Sequence, residues 1–181
     1  MDREKAIKLL NDHLKNENLK KHCLATEACM RAFARHFGED EDTWGIAGIL
    51  HDLDYEYTSE DPDNHGLKTA EMLQDEAVSE NVLHAIKAHN KKADISSKMD
   101  ISLYTIDPTT GFITACALMH PSKSLEAVTL KRMKKRFKEK SFAKGADRDQ
   151  IKECSKLDME LDQFLNICRD AMADIHNDLG L

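Results

Sequence analysis

The stretch Trp44-Gly45-Ile46-Ala47-Gly48-Ile49-Leu50-His51-Asp52-Leu53-Asp54-Tyr55-Glu56 constrains this chain more than any other. A run of small and apolar residues breaks off in adjacent His51 and Asp52 and then turns acidic. A carboxylate buried at the end of an apolar helix is costly unless a cation compensates it. Imidazole nitrogen and carboxylate oxygen together suit a borderline divalent metal such as Zn, Mn, Fe or Co. Two adjacent side chains cannot satisfy a metal alone. The chain offers further donors in order: His22, His65, His84, His89 and Asp107.

Glycine and proline are scarce (7 and 3 of 181 residues) and apolar residues recur at spacings of three and four, which predicts an all-α fold. The length fits one domain with a core of its own. Its metal-site core is expected at about 19–119, and C-terminal helices over about 120–181 complete the fold. Five cysteines, Cys23, Cys29, Cys116, Cys154 and Cys168, include no Cys-x-x-Cys pair and read as reduced, buried thiols. The charged start Met1-Asp2-Arg3-Glu4-Lys5 lacks the apolar run of a signal peptide, and no segment reaches transmembrane length. A cytoplasmic protein is the expectation.

Capping and breaker residues set the expected helices. Asp2 caps a first helix to about Lys15, and Asn18 opens a second that Gly38 stops after Phe37. Asp42 or Thr43 starts a third, ending at the His51-Asp52 pair. An acidic loop over 54–64 precedes helices at 65–74 and 80–91. Pro108 lacks an amide donor and separates a helix over 97–107 from one over 112–119. A long basic helix over 124–138, a linker around Gly145, a helix over 147–156 and a last helix over 158–178 complete the chain.

The ordered set of His22, then His51-Asp52, then Asp107 resembles the HD-domain metal-dependent phosphohydrolase superfamily. The form Ile49-Leu50-His51-Asp52-Leu53-Asp54 is similar to the variant of the motif (HDIG-type) in many small bacterial members. That resemblance implies a compact multi-helix bundle with a metal site at its centre, and it covers about half the chain. Members with only these four ligands hold one metal; those with two added histidines between the dipeptide and the last Asp hold two. His65 follows Asp52 by 13 residues and His89 follows His65 by 24, in local texts that resemble the added sites. His84 projects from a different face of the same helix and reads as structural. The resemblance therefore implies two divalent ions (Fe, Mn, Co, Zn or Ni), one on His22, His51, Asp52 and Asp107. The other would lie on His65, His89 and a bridging Asp52. His13, His36, His120 and His176 read as ordinary surface or core histidines.

Charge is unevenly placed. Residues 120–150 carry ten Lys/Arg against four acids, a surplus of six that leaves −13 on the rest of a chain whose net charge is −7. Such a run is commonly a solvated helix face. It would also serve as a basic wall drawing a phosphate-bearing substrate toward an acidic metal site. Few aromatics interleave it, which disfavours nucleic acid as a partner. Lys68, Lys87 and Lys123 are the candidate substrate-binding cations, with Asp52, Asp54 and Lys68 as candidate catalytic residues. Asp54 and Glu56 are placed to orient a ligand histidine or to protonate a leaving group.

The leading expectation is a metal-dependent phosphohydrolase, mono- or diesterase, that uses metal-activated water on a nucleotide or another small phosphate ester. The resemblance also admits a mixed-valent di-iron oxygenase and a non-enzymatic metal- or nucleotide-binding regulator. The oligomeric state is left open, and so is the role of Ser141-Phe142-Ala143-Lys144-Gly145 and Arg148, which look deliberate beside the basic helix.

Overall fold

Helix caps in this chain are read directly from side chains, and they set the element boundaries. The computed structural model describes residues 1–181 and is all-α, with no strand. Helix α1 (Arg3–His13) is capped by the Asp2 carboxylate, which accepts from the Lys5 amide. Helix α2 (Glu17–Phe37) is capped by Asn16 and ends at Gly38 in the left-handed conformation. Helix α3 (Glu41–Leu50) is capped by Asp40, and the chain then turns through residues 51–54.

Helix α2 lies centrally, packed on α3 and, further along the chain, on α7 (Lys98–Leu118) and α10 (Leu161–Asp174). The α2–α3 contact is close because residue 48 has no side chain. A Cβ built on Gly48 would lie 2.7 Å from the backbone N and Cα of Glu27. This approach brings His51, at the end of α3, against His22 on α2. Glu27 itself is buried and balanced by two guanidinium groups: Arg3 at 2.5 and 2.9 Å and Arg31 at 2.9 Å. One apolar core runs from Ala6 to Leu179 through Phe33, Phe112 and Phe164, all fully buried. Each such side chain contributes about 1.5–3 kcal/mol.

The acidic loop over 54–64 contains a short helix α4 (Tyr55–Thr58) and a 3₁₀ turn at Pro62–Asn64. Helix α5 (Leu67–Met72) starts after Gly66 and is shorter at both ends than the expected 65–74. Helix α6 spans Glu80–His89.

Pro108 does not end a helix: α7 runs unbroken through it. Proline frees the carbonyl four residues earlier, and here the Gln150 side-chain amide donates to that Tyr104 oxygen at 2.6 Å. A distant residue replaces the missing donor, which no local reading of Asp107-Pro108 reveals.

The basic segment is also shorter in helix than its composition suggests. A 3₁₀ turn (Leu125–Ala127) precedes α8 (Leu130–Phe137), which Thr129 caps. Helix α9 (Arg148–Lys152), capped by Asp147, runs into a 3₁₀ turn (Glu153–Leu157). Asp158, left-handed at φ 55°, closes that turn instead of opening the last helix. The end of the chain then divides into α10 and α11 (His176–Leu179). All five cysteines are buried free thiols. No helix is long and apolar enough to cross a membrane.

Replacing Gln150 with Leu removes the donor and leaves the Tyr104 carbonyl unpaired in the interior. The expected loss is about 1–3 kcal/mol, read as a lower urea midpoint. An unchanged midpoint would mean that α7 crosses Pro108 without this support.

Candidate metal centre

Six side chains from five separate parts of the chain meet at one point. His22 comes from α2, His51 and Asp52 from the turn after α3, His65 from the end of the 3₁₀ turn before α5, His89 from the end of α6 and Asp107 from the middle of α7. They form two groups of potential ligands, His22, His51 and Asp107 in one and Asp52, His65 and His89 in the other. In the first, His22 Nε2 lies 3.0 Å from Asp107 Oδ1 and 3.2 Å from His51 Nε2. In the second, His65 Nε2 lies 3.2 Å from Asp52 Oδ1 and 3.1 Å from His89 Nε2, and His89 Nε2 is 3.5 Å from the same oxygen. The other Asp52 oxygen, Oδ2, faces His22 Nε2 at 3.5 Å. One carboxylate thus borders both groups.

Each imidazole is oriented through its other nitrogen. His51 Nδ1 meets the Gly48 carbonyl at 2.9 Å and His89 Nδ1 the Ile86 carbonyl at 2.5 Å. A carbonyl only accepts, so both Nδ1 atoms carry the proton. His22 Nδ1 lies 3.0 Å from the Thr110 hydroxyl, whose own proton goes to the Asp107 carbonyl at 2.9 Å. The Thr110 oxygen therefore accepts from His22. His65 Nδ1 lies 2.7 Å from Asp54 Oδ1. In neutral imidazoles held this way, all four Nε2 lone pairs point into the centre, the arrangement that partner groups around metal-bound histidines impose.

Asp54 is therefore not a proton donor to a leaving group. It is fully buried, and its second oxygen accepts from the amides of Gly66 at 2.8 Å and Thr69 at 2.9 Å. Burial would raise its pKa, but these hydrogen bonds and His65 hold it below the usual carboxylate value. The tight turn needs Gly66, which sits at φ +82° with the Ile86 carbonyl 3.0 Å from where a Cβ would lie. Glu56 is likewise committed: its carboxylate accepts from the amides of Lys15 and Asn16, both at 2.9 Å, and ties down the α1–α2 connection.

The electrostatics favour added positive charge. Burial would raise both carboxylates, yet the imidazoles hold Asp52 and Asp107 well below the ordinary range. Burial would lower His51, but Asp52 and Asp107 push it up to about 9. His65 is lowered by burial and raised more strongly by Asp52 and Asp54, to about 10. Without a metal, protons fill the role of cation. The donor set of nitrogens and carboxylate oxygens is what a borderline divalent ion selects, so the residues fit such ions.

A cleft of about 540 Å³ opens over His22, Asp52, His65 and Asp107. Its rim is made by Leu19, Tyr55, Pro108, Gly111 and Ala115, and by Ala143, Gly145 and Ala146 from the loop after α8. No lysine or arginine lines it. Lys68 instead pairs with Glu71 at 2.9 Å and lines a separate recess beside Tyr57 and Asn64. Lys87 and Lys123 are also outside the cleft. The α8 lysines, Lys131, Lys134, Lys135 and Lys138, face another recess of their own. His84 stays apart from the centre, 3.1 Å from Asp100 in the capping box of α7.

Two features of the cleft escaped the sequence reading. Tyr55, 45% exposed, stands edge-on to His65 with ring centroids 5.7 Å apart. Arg148 holds the loop that forms one wall. Its guanidinium donates to the carbonyls of Phe142 (2.6 Å), Ala143 (3.0 Å) and Ala146 (2.5 Å) and stacks on Phe112 at 4.7 Å. The Ser141–Arg148 text thus shapes the cleft with small residues and a half-buried cation turned onto the loop's own carbonyls, and brings no charge to the cleft.

A family model described as HD domain matches residues 19–150. The chain belongs to the HD-domain family. The match reaches past Asp107 through the basic segment, so α8 and the Arg148-held loop belong to the HD domain. The HD family is a superfamily of metal-dependent hydrolases, and its members bind divalent metals. No curated protein and no solved structure matches the chain.

Replacing Asp54 with Ala frees His65 to rotate, and metal affinity should fall by about 10–100-fold in competition with a chelator. Unchanged affinity would assign Asp54 to packing alone.

The raised histidines give a pH dependence of definite sign. His51 and His65 hold protons more tightly folded than unfolded, so their contribution to stability is complete below about pH 6.5. It is lost as the pH rises through about 9 and about 10. Chelator-treated protein should therefore lose thermal stability from neutral pH to pH about 10. Metal added near neutral pH should release protons, measurable in weak buffer. A flat stability profile would contradict this electrostatic picture.

Proposed function

We propose that this HD domain is a phosphohydrolase that uses two divalent ions and water on a small phosphate ester, nucleotides included. The observation that carries this reading is the shared carboxylate: Asp52 Oδ1 faces His65 and His89 of one ligand group and His51 of the other, and its Oδ2 faces His22. Bound at such a pair of sites, divalent cations acidify water and polarise a phosphoryl group under in-line attack. The remaining work falls to the protein. Thr110, Asp54 and the carbonyls of Gly48 and Ile86 keep four imidazoles aimed at one centre. Asp52, bordering both groups, would hold them side by side, so that a phosphoryl group and a water bound there would be kept close together. The cleft lining holds no Ser, Thr, Cys or Lys, and its imidazoles and carboxylates face one another in the two ligand groups, which is consistent with direct attack by water.

The missing lysines and arginines sharpen the reading. Charge on a bound phosphoryl oxygen must be met by the cations themselves, because Lys68, Lys87 and Lys123 lie elsewhere. Activity should accordingly vanish on chelation and return on adding Mn, Co, Fe, Zn or Ni. Asp52→Asn should lower kcat by at least about a thousandfold, with phosphate release from a panel of phosphate esters as the assay.

The same six-residue set supports a second reading, a di-iron oxygenase. Iron-loaded protein that consumes dioxygen with an organic substrate and frees no phosphate from any ester would replace the first reading with the second. Tight nucleotide or metal binding with no turnover of either kind would favour a regulator.

A further inference from the structure

The interior of α7 holds a residue that its helix does not need. Glycine is the poorest interior helix residue after proline, and it is usually kept for a left-handed backbone or a close approach. Gly111 has neither excuse: its φ is ordinary, and a Cβ built there would meet no atom within 4 Å. What surrounds it is open space on two sides. Gly111 and His22 line the metal cleft, and the same two residues line a second recess of about 350 Å³. A side chain at 111 would stand at the border the two hollows share.

The second recess has the charge that the first lacks. Leu118, Leu179 and Leu181 give it an apolar part, and one lysine lines it: Lys21, adjacent in sequence to His22. Lys20 is paired with Glu17 at 2.9 Å, whereas Lys21 has neither a carboxylate nor a carbonyl partner. A Cβ on Gly180 at the recess wall would come within 3.0 Å of Lys21 Nζ, which places the ammonium group inside the recess rim. Asn18 and Thr114 add polar groups beside it. Volumes of about 540 and 350 Å³ each fall in or near the range of small-molecule sites.

The geometry points to a substrate that is anionic at both ends. One phosphoryl group sits at the metal centre, an uncharged body passes over Gly111 against Leu118, and a second phosphate or carboxylate meets Lys21. This assignment rests on the phosphoryl reading above and extends it: Lys21 is a specificity residue and Gly111 the gap that lets the substrate reach it. Singly charged esters then use the first cleft alone.

The test is calorimetric binding to metal-loaded protein, with alkyl monophosphonates and α,ω-alkane bisphosphonates of increasing chain length as probes. A bisphosphonate of matching length should bind about tenfold more tightly than the monophosphonate of equal length. Lys21→Met should erase that gain and leave monophosphonate affinity unchanged, while Lys21→Arg should retain it. Gly111→Val should also erase it, whereas helix content and metal affinity stay as in the parent. If monophosphonates bind and bisphosphonates gain nothing, or if Lys21→Met keeps the gain, this inference is overturned and the phosphoryl reading stands. If neither probe binds the loaded centre, both fall together.

Discussion

The structure depends on one buried carboxylate. Asp52 is almost wholly removed from water, and its two oxygens face imidazoles from α2, α6 and the segment before α5 as well as its neighbour His51. Such a group is destabilising alone, by several kcal/mol even after relaxation, and it is tolerated only where positive charge surrounds it. Each nearby element answers that requirement. The chain places four ring nitrogens around Asp52 and Asp107 and uses carbonyls, a threonine and a second buried carboxylate to stop those rings from turning away.

The surrounding fold is arranged to make this convergence possible. Gly48 allows α3 to lie against α2 closely enough for His51 to reach His22. The rescue of the Tyr104 carbonyl by Gln150 lets α7 continue past Pro108, so Asp107 and Thr110 sit on one rigid helix. Arg148 then fixes the loop over 142–146 that walls the cleft. Both supports come from the region just before and at the start of α9, which explains physically why an HD match should extend to residue 150. The C-terminal part of the domain braces the site without donating a ligand.

Much of the site was legible because its chemistry is local. An apolar helix ending in His-Asp announces itself, and the spacing of His65 and His89 belongs to a known pattern. The N-terminal helices were legible in part: Asp2 and Gly38 act on their own neighbours as expected, whereas α2 and α3 are capped by Asn16 and Asp40, each two residues ahead of the expected Asn18 and Asp42. What stayed hidden was long-range. Asp54 reads as a loop acid until Gly66 and Thr69 close over it. Pro108 reads as a stop until Gln150, forty-two positions on, supplies a donor. A lysine's charge is visible in sequence but its direction is not. None of Lys68, Lys87 and Lys123 lines the metal cleft, whereas Lys21 lines the recess beside it. Its signal was present all along, one position before a ligand histidine.

The most direct test of this account is the number and placement of metal ions in loaded protein, determined by anomalous diffraction at the metal edge. The account predicts two ions about 3.5–4 Å apart, with one Asp52 oxygen on each. The first should be completed by His22, His51 and Asp107 and the second by His65 and His89. A single ion on His22, His51, Asp52 and Asp107, with His65 and His89 still turned toward each other, would contradict it.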